Sequence, residues 1–259
     1  MAELVDTVAD IAAEAGALAV SRWGTGFETG SKPDGSVICA IDLEVDQFLK
    51  ARLGALLPQA GWLSEETADD PARLSRGQVW VVDPIDGTRD YVRGREGFAI
   101  SVALVEHGQV VLGVLDAPAR YERWRAVAGG GAWRNETRIR ASGRRELTGA
   151  RVPADALAKT DRGVFETVPK PNSIALRIAM VAAGEADLVA TLRWGNEWDI
   201  AAAALIASEA GASVTDALGQ PLAFNQPRPR AFGVLATASA IHGAAVARLA
   251  ERARTALAA

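Results

Sequence analysis

Residues 79–94, VWVVDPIDGTRDYVRG, place Asp83 and Asp86 three positions apart where an apolar run ends, with Pro84 and Ile85 between them and Gly87-Thr88 behind. Three more acids stand at similar junctions: Glu65 closes the apolar run Gly61-Trp62-Leu63-Ser64, and Asp42 and Asp199 each open a helical pattern. Singly, these have ordinary explanations. An Asp ahead of a helix caps its free N–H groups, Asp-Gly suits a turn, and Glu65-Glu66 fits a solvated loop. Jointly, they put five carboxylates where the loops of a sheet converge. Clustered carboxylates raise one another's pKa unless a cation compensates them. Oxygen ligands alone suit a hard ion, Mg²⁺ above all, and neither His107 nor His242 falls near the set to support zinc. Such a site can bind phosphate oxygens, lower the pKa of a coordinated water and clamp both ends of an in-line displacement. Gly87-Thr88 adds close backbone approach and N–H groups for a phosphate.

Hydrophobic period shows the elements that must position these acids. Leu4, Val8, Ile11, Ala12, Ala15, Leu18 and Ala19 recur at helical spacing, ended by Gly24, Gly26 and Gly30. The turn Lys32-Pro33-Asp34-Gly35 and a strand-like run at 36–41 lead to a second helix, starting at Asp42 and closed by Pro58. A strand at 61–64, a polar loop to Gly77 and the strand delivering Asp83 follow. Runs at 98–106 and 109–116 form an antiparallel hairpin about His107-Gly108, and 121–128 and 132–139 extend its sheet. Residues 141–168 lose periodicity and mark the expected boundary between an α+β half, 1–140, holding most of the acids, and an α/β half, 141–259, contributing Asp199. There, helices at 173–184 and 199–210, the latter stopped by Gly211, alternate with strands at 186–192, 212–215 and 232–236 before a terminal helix from His242.

The chain has 259 residues, 49% hydrophobic and 23% charged, ordinary for a globular protein. Its net charge is −4 and its 28 basic residues are scattered, which argues against a nucleic-acid or membrane partner and for a small molecule. A lone cysteine, Cys39, excludes an internal disulfide and fits a reducing compartment. The N-terminus has no basic flank or unbroken apolar core, so a cytoplasmic location is expected.

The run Asp83-Pro84-Ile85-Asp86-Gly87-Thr88 after Trp80-Val81-Val82, with Trp198-Asp199-Ile200-Ala201-Ala202 and Glu209-Ala210-Gly211, resembles the two signatures of the inositol monophosphatase family. The resemblance implies a Mg²⁺-dependent, often lithium-inhibited phosphomonoesterase with two or three ions, monomeric or homodimeric, in a layered α/β/α/β/α sugar-phosphatase-like fold. Carried over by motif, Glu65, Asp83, the Ile85 carbonyl, Asp86 and Asp199 would be metal ligands. Asp42, Glu65 and Thr88 would form the catalytic set, with Asp42 and Thr88 orienting the nucleophilic water, and the N–H groups of Gly87 and Thr88 would hold the phosphate. Leu63-Ser64-Glu65-Glu66, Asp86-Gly87-Thr88-Arg89-Asp90-Tyr91 and Glu197-Trp198-Asp199 look most like the 3'(2'),5'-bisphosphate nucleotidase branch, which acts on 3'-phosphoadenosine 5'-phosphate. Inositol-1-monophosphatase, histidinol phosphatase and sugar bisphosphatase are the alternatives within the family. Leu192 stands where inositol phosphatases usually carry an acid. Arg89, Ser173 and Glu197 are the expected substrate contacts, Arg89 with Arg93 and Arg95 facing a second phosphate; against this, loop arginines are usually solvated and Ser173 suits a helix cap. Cys39 where threonine is usual, and Asn172 where glycine is common, depart from the family pattern.

Overall fold

In the computed structural model, which describes residues 1–24, 29–31 and 37–258, the alternating apolar runs close into a central sheet. The chain opens with α1 (Ala2–Arg22), the antiparallel pair β1 (Thr29–Ser31) and β2 (Val37–Cys39), and α2 (Ala40–Leu56). Then come β3 (Gly61–Ser64), β4 (Gln78–Asp86), the short α3 (Thr88–Val92), β5 (Ala99–Glu106), β6 (Gln109–Ala117), β7 (Glu122–Val127), β8 (Gly131–Arg134) and β9 (Thr137–Arg138). These seven strands make one sheet in the order β3-β4-β5-β6-β7-β8-β9, parallel between β3 and β4 and antiparallel elsewhere. The expected hairpin is present. His107 and Gly108 both take positive φ, 48° and 78°, as a two-residue turn matched to strand twist requires.

The second half supplies β10 (Ala150–Pro153), β11 (Phe165–Val168), α4 (Ile174–Ala182), β12 (Leu188–Ala190), β13 (Trp194–Asn196), α5 (Ala201–Glu209), β14 (Ala212–Thr215), β15 (Arg230–Phe232), β16 (Leu235–Ala238) and α6 (His242–Ala258). Its main sheet is β12-β16-β14, beside the small pairs β10-β11 and β13-β15.

Burial explains the stacking. Along β4, Trp80 and Val82 face the apolar sides of α1 and α2, while Val79 and Val81 face α4 and α5. Residues 201–207 of α5 are buried all round, as a helix held between two sheets must be. Its alanines let it approach so closely that a methyl at Gly113 of β6 would lie 2.7 Å from the Ala202 carbonyl oxygen. With α6 packed on β16, the layers run α/β/α/β/α as the family resemblance implies.

Four local expectations are corrected. The second helix starts at Ala40, so Asp42 sits in its first turn. The strand carrying Asp83 continues to Asp86. The aperiodic stretch at 141–168 contains two strands, β10 and β11, in parallel pairing. The run at 232–236 is two strands, because Gly233 at φ 70° redirects the chain from β13 to β12 and β14. Gly26, the turn Lys32-Pro33-Asp34-Gly35, Ser36 and the side chain of Cys39 lie outside the described residues. No helix among the described residues is long and apolar enough to cross a membrane.

Candidate active site

The site begins with a fault in β4. Asp83 pairs with Ser101 and Asp86 with Ala99, so three steps on β4 match two on β5. This is a β-bulge, placed where Pro84 has no N–H for the ladder. Ser101 and Ala99 lie two residues apart and share a face, so their partners Asp83 and Asp86 share one too. The bulge is braced by the Ile85 N–H, which donates to Asp83 Oδ1 at 3.0 Å.

Directly after it, Gly87 at φ 97° starts α3. A methyl at Gly87 would meet the Gly97 carbonyl oxygen at 2.6 Å and the Ser173 nitrogen at 2.9 Å, so only glycine fits. Thr88 Oγ1 donates to the Ile85 carbonyl at 3.0 Å. The turn is pinned to the second half of the molecule, since Asn172 N–H donates to Asp90 Oδ2 at 3.0 Å and Ser173 N–H to the Gly97 carbonyl at 2.9 Å.

Glu65, at the end of the parallel neighbour β3, and Asp199, just before α5, complete the group. One carboxylate oxygen from each of Glu65, Asp83 and Asp199 lies within 4.8 Å of the others. They line a cavity of about 250 Å³ with Ile85, Asp86, Gly87, Thr88, Arg89, Asn172, Ile174, Arg177, Arg193 and Asn196. Asp199 is not a helix cap: α5 begins at Ala201, and Asp199 Oδ2 instead accepts from the Asn196 N–H at 3.2 Å. Asp42 is buried in the first turn of α2, outside the cavity lining but with its charge reaching Asp83. A roomier groove of about 470 Å³, beside Asp116, Tyr121 and Arg123, lies away from these acids.

The electrostatics mark a site built for a cation. Burial, then the charges of Glu65, Asp86, Asp199 and Asp42, push the Asp83 carboxyl well above the usual carboxylate range. Burial and the charges of Asp86 and Glu65 do the same to Asp199. Asp86 is raised to about 6 by burial, opposed by Ser173, the Ala175 N–H and Arg177. A divalent ion coordinated by oxygens relieves all of these at once.

Two expected substrate contacts sit elsewhere. Ser173 is fully buried; its Oγ donates to Asp86 Oδ2 at 2.5 Å and accepts from the Leu176 N–H at 2.9 Å, capping α4 and holding a site carboxylate. Glu197 is buried with both oxygens occupied by the Asn225 and Gln226 N–H groups at 2.6 and 2.9 Å. Its side chain fastens a loop. Arg89 lines the cavity, whereas Arg93 and Arg95 are exposed outside its lining.

Sequence reasoning missed Arg177, Arg193 and Asn196. Arg177 had a signal, being the one charge in the otherwise apolar α4. Its Nε and Nη2 donate to the Pro171 and Asn172 carbonyls at 2.8 and 2.5 Å, which aims the guanidinium beside Asp86. Also missed was Asp46, one helical turn beyond Asp42, which accepts from the Ser64 and Thr67 hydroxyls on either side of Glu65.

The sequence profile of the inositol monophosphatase family matches residues 1–255. The chain belongs to that family. It is 31% identical over 210 residues to the inositol-1-monophosphatase of Bacillus subtilis, covering 76% of this chain and 78% of that protein. It is 33% identical over 235 residues to the 3'(2'),5'-bisphosphate nucleotidase CysQ of Escherichia coli K12, covering 85% and 93%. The solved structure of Thermotoga maritima IMPase aligns with a TM-score of 0.86 at 29% identity, over 99% of this chain and 100% of that one. As an inositol monophosphatase family member the chain is a metal-dependent phosphomonoester hydrolase, and the acidic cluster is where it can bind metal.

Proposed function

We propose that this family member is a Mg²⁺-dependent 3'(2'),5'-bisphosphate nucleotidase that releases the 3'-phosphate of 3'-phosphoadenosine 5'-phosphate and leaves AMP. The observation carrying this reading is that Arg89, Arg177 and Arg193 line the same cavity as the carboxylates. One phosphate is served by the metal-binding acids and the Gly87-Thr88 backbone; the guanidinium groups of Arg89 and Arg193 beside it suit a second phosphate, which planar donors bind bidentately, and Arg177, whose Nε and Nη2 donate to backbone carbonyls, adds positive charge. Leu192 supports the same choice, because it packs with Ala217 and Phe232 and offers a polyol no hydrogen-bond partner.

Glu65, Asp83, Asp86, Asp199 and the Ile85 carbonyl are the oxygen donors that would hold two or three Mg²⁺ ions. Ions held there would supply charge neutralisation for the phosphate and a lowered pKa for a water. The chain's own groups do the positioning. Ser173 and the Ala175 N–H, 2.5 and 2.7 Å from Asp86 Oδ2, occupy that oxygen and leave the other for the cavity. Thr88 gives its hydroxyl proton to Ile85, so its lone pairs remain to accept from the attacking water, which Asp42 orients from α2. The N–H groups of Gly87 and Thr88 hold the phosphate at the start of α3.

The test is phosphate release with Mg²⁺ from 3'-phosphoadenosine 5'-phosphate, inositol 1-phosphate and histidinol phosphate, compared as kcat/KM. Preference for the nucleotide is expected. Preference for either of the others overturns the substrate assignment and leaves the metal site standing.

A further inference from the structure

Beyond the carboxylate cavity lies a second one of about 480 Å³, in the range of small-molecule pockets, roughly 300–1,000 Å³. The two share Ile174, Arg193, Asn196 and Asp199 as a common wall. From that wall the lining continues into the ribbon β13-β15, where Trp194 pairs with Phe232 and Asn196 with Arg230. Paired and alternate residues of such a ribbon share a face. Trp194 and Arg230 therefore stand on the same side as Asn196, which lines both cavities.

Trp194 is 48% exposed, unusual for so large an apolar side chain, yet its orientation is set: Phe232 packs against it edge to face at 5.5 Å. The exposed Arg230 reaches over the ring, 5.8 Å from its centroid. A fixed, half-exposed indole with the Arg230 guanidinium over it, lining a cavity that shares a wall with the carboxylates, is a stacking platform.

We propose that this second cavity receives the leaving group of the substrate and selects a planar ring, stacked on Trp194 beside Arg230, with Arg193 on the wall toward the carboxylates. The inference deepens the nucleotidase reading and rests on it for the ring being a nucleobase. It does not need that reading for the stacking itself, because any ring-bearing phosphomonoester would use the platform.

The experiment measures kcat/KM of wild type, Trp194→Ala and Trp194→Phe on three substrates: 3'-phosphoadenosine 5'-phosphate, phenyl phosphate and glycerol 2-phosphate. The ring-free ester corrects for any general loss of fold. Trp194→Ala is expected to lower the ratio of ring-bearing to ring-free kcat/KM about ten-fold, mostly through KM, as loss of one aromatic stack does. Trp194→Phe is expected to restore most of the ratio. A uniform fall on all three substrates, or an unchanged ratio, overturns the platform. If the nucleotide is a poor substrate of wild type while the phenyl ratio still collapses in Trp194→Ala, the nucleotidase reading fails and the platform stands.

Discussion

At the scale of single residues, the site sets function against stability. Asp83 is buried among like charges, a cost that a bound cation would offset. Asp83→Asn is therefore expected to lower kcat at least about a hundred-fold and to raise the melting temperature of the metal-free protein. Phosphate release and calorimetry check the two halves; more than a few per cent activity in a folded variant would overturn the ligand assignment. Ser173→Ala removes both a helix cap and a bond to Asp86, so it should cost about 1 kcal/mol and raise the Mg²⁺ concentration for half-maximal rate. Away from the site, burial raises the Asp116 carboxyl to about 6 despite Arg123. The folded protein then binds more protons than the unfolded chain between pH 4 and 6, so this group's contribution to stability falls as pH rises through that window and its cost is complete above it. The unfolding free energy of wild type, from urea titration, should drop relative to Asp116→Asn between pH 4.5 and 7, by about 1–3 kcal/mol; parallel pH curves would refute the shift. The acids of the site were legible because each stands beside a boundary of hydrophobic period. Glu197, expected as a substrate contact from family resemblance, has its carboxylate turned to a loop, where it accepts from the Asn225 and Gln226 N–H groups; the motif carries no signal of that direction.

At the scale of elements, what matters is how few conformations the site's connections allow. Gly87→Ala would put a methyl against two backbone atoms at a positive φ. It should destabilise by at least about 1–3 kcal/mol and abolish turnover, which unfolding and rate measurements would show together. The long strands and the terminal and central helices were readable because each repeats its period several times. β10, β11, β13 and β15 were not, since three or four residues contain too little alternation to separate a strand from a loop. The switch of sheets at Gly233 had only the glycine to announce it.

At the scale of the whole molecule, two sheets are held by a shared layer of helices and by a buried tie. Arg73 is 2% exposed and donates to Asp69, to Asn225 Oδ1 at 2.5 Å and to the Gln226 carbonyl at 2.9 Å, the same loop whose N–H groups Glu197 holds. Arg73→Ala strands several of these acceptors and should cost about 2–4 kcal/mol, read as a lower urea midpoint; an unchanged midpoint would show that the tie is idle. The layered order itself was legible only through family resemblance. Periodicity reports which face of an element is apolar and is silent on which partner covers it.

The bulge in β4 makes the chemistry a matter of arithmetic parity. In a regular strand, residues an odd number of steps apart point to opposite sides, so Asp83 and Asp86 would straddle the sheet and never meet. Inserting one residue opposite the bulge, between Ala99 and Ser101 of β5, would mend the ladder and move one carboxylate to the α1–α2 side. Such a lengthened chain would be a tidier protein and a dead one: the site depends on a mismatch in length between two paired strands.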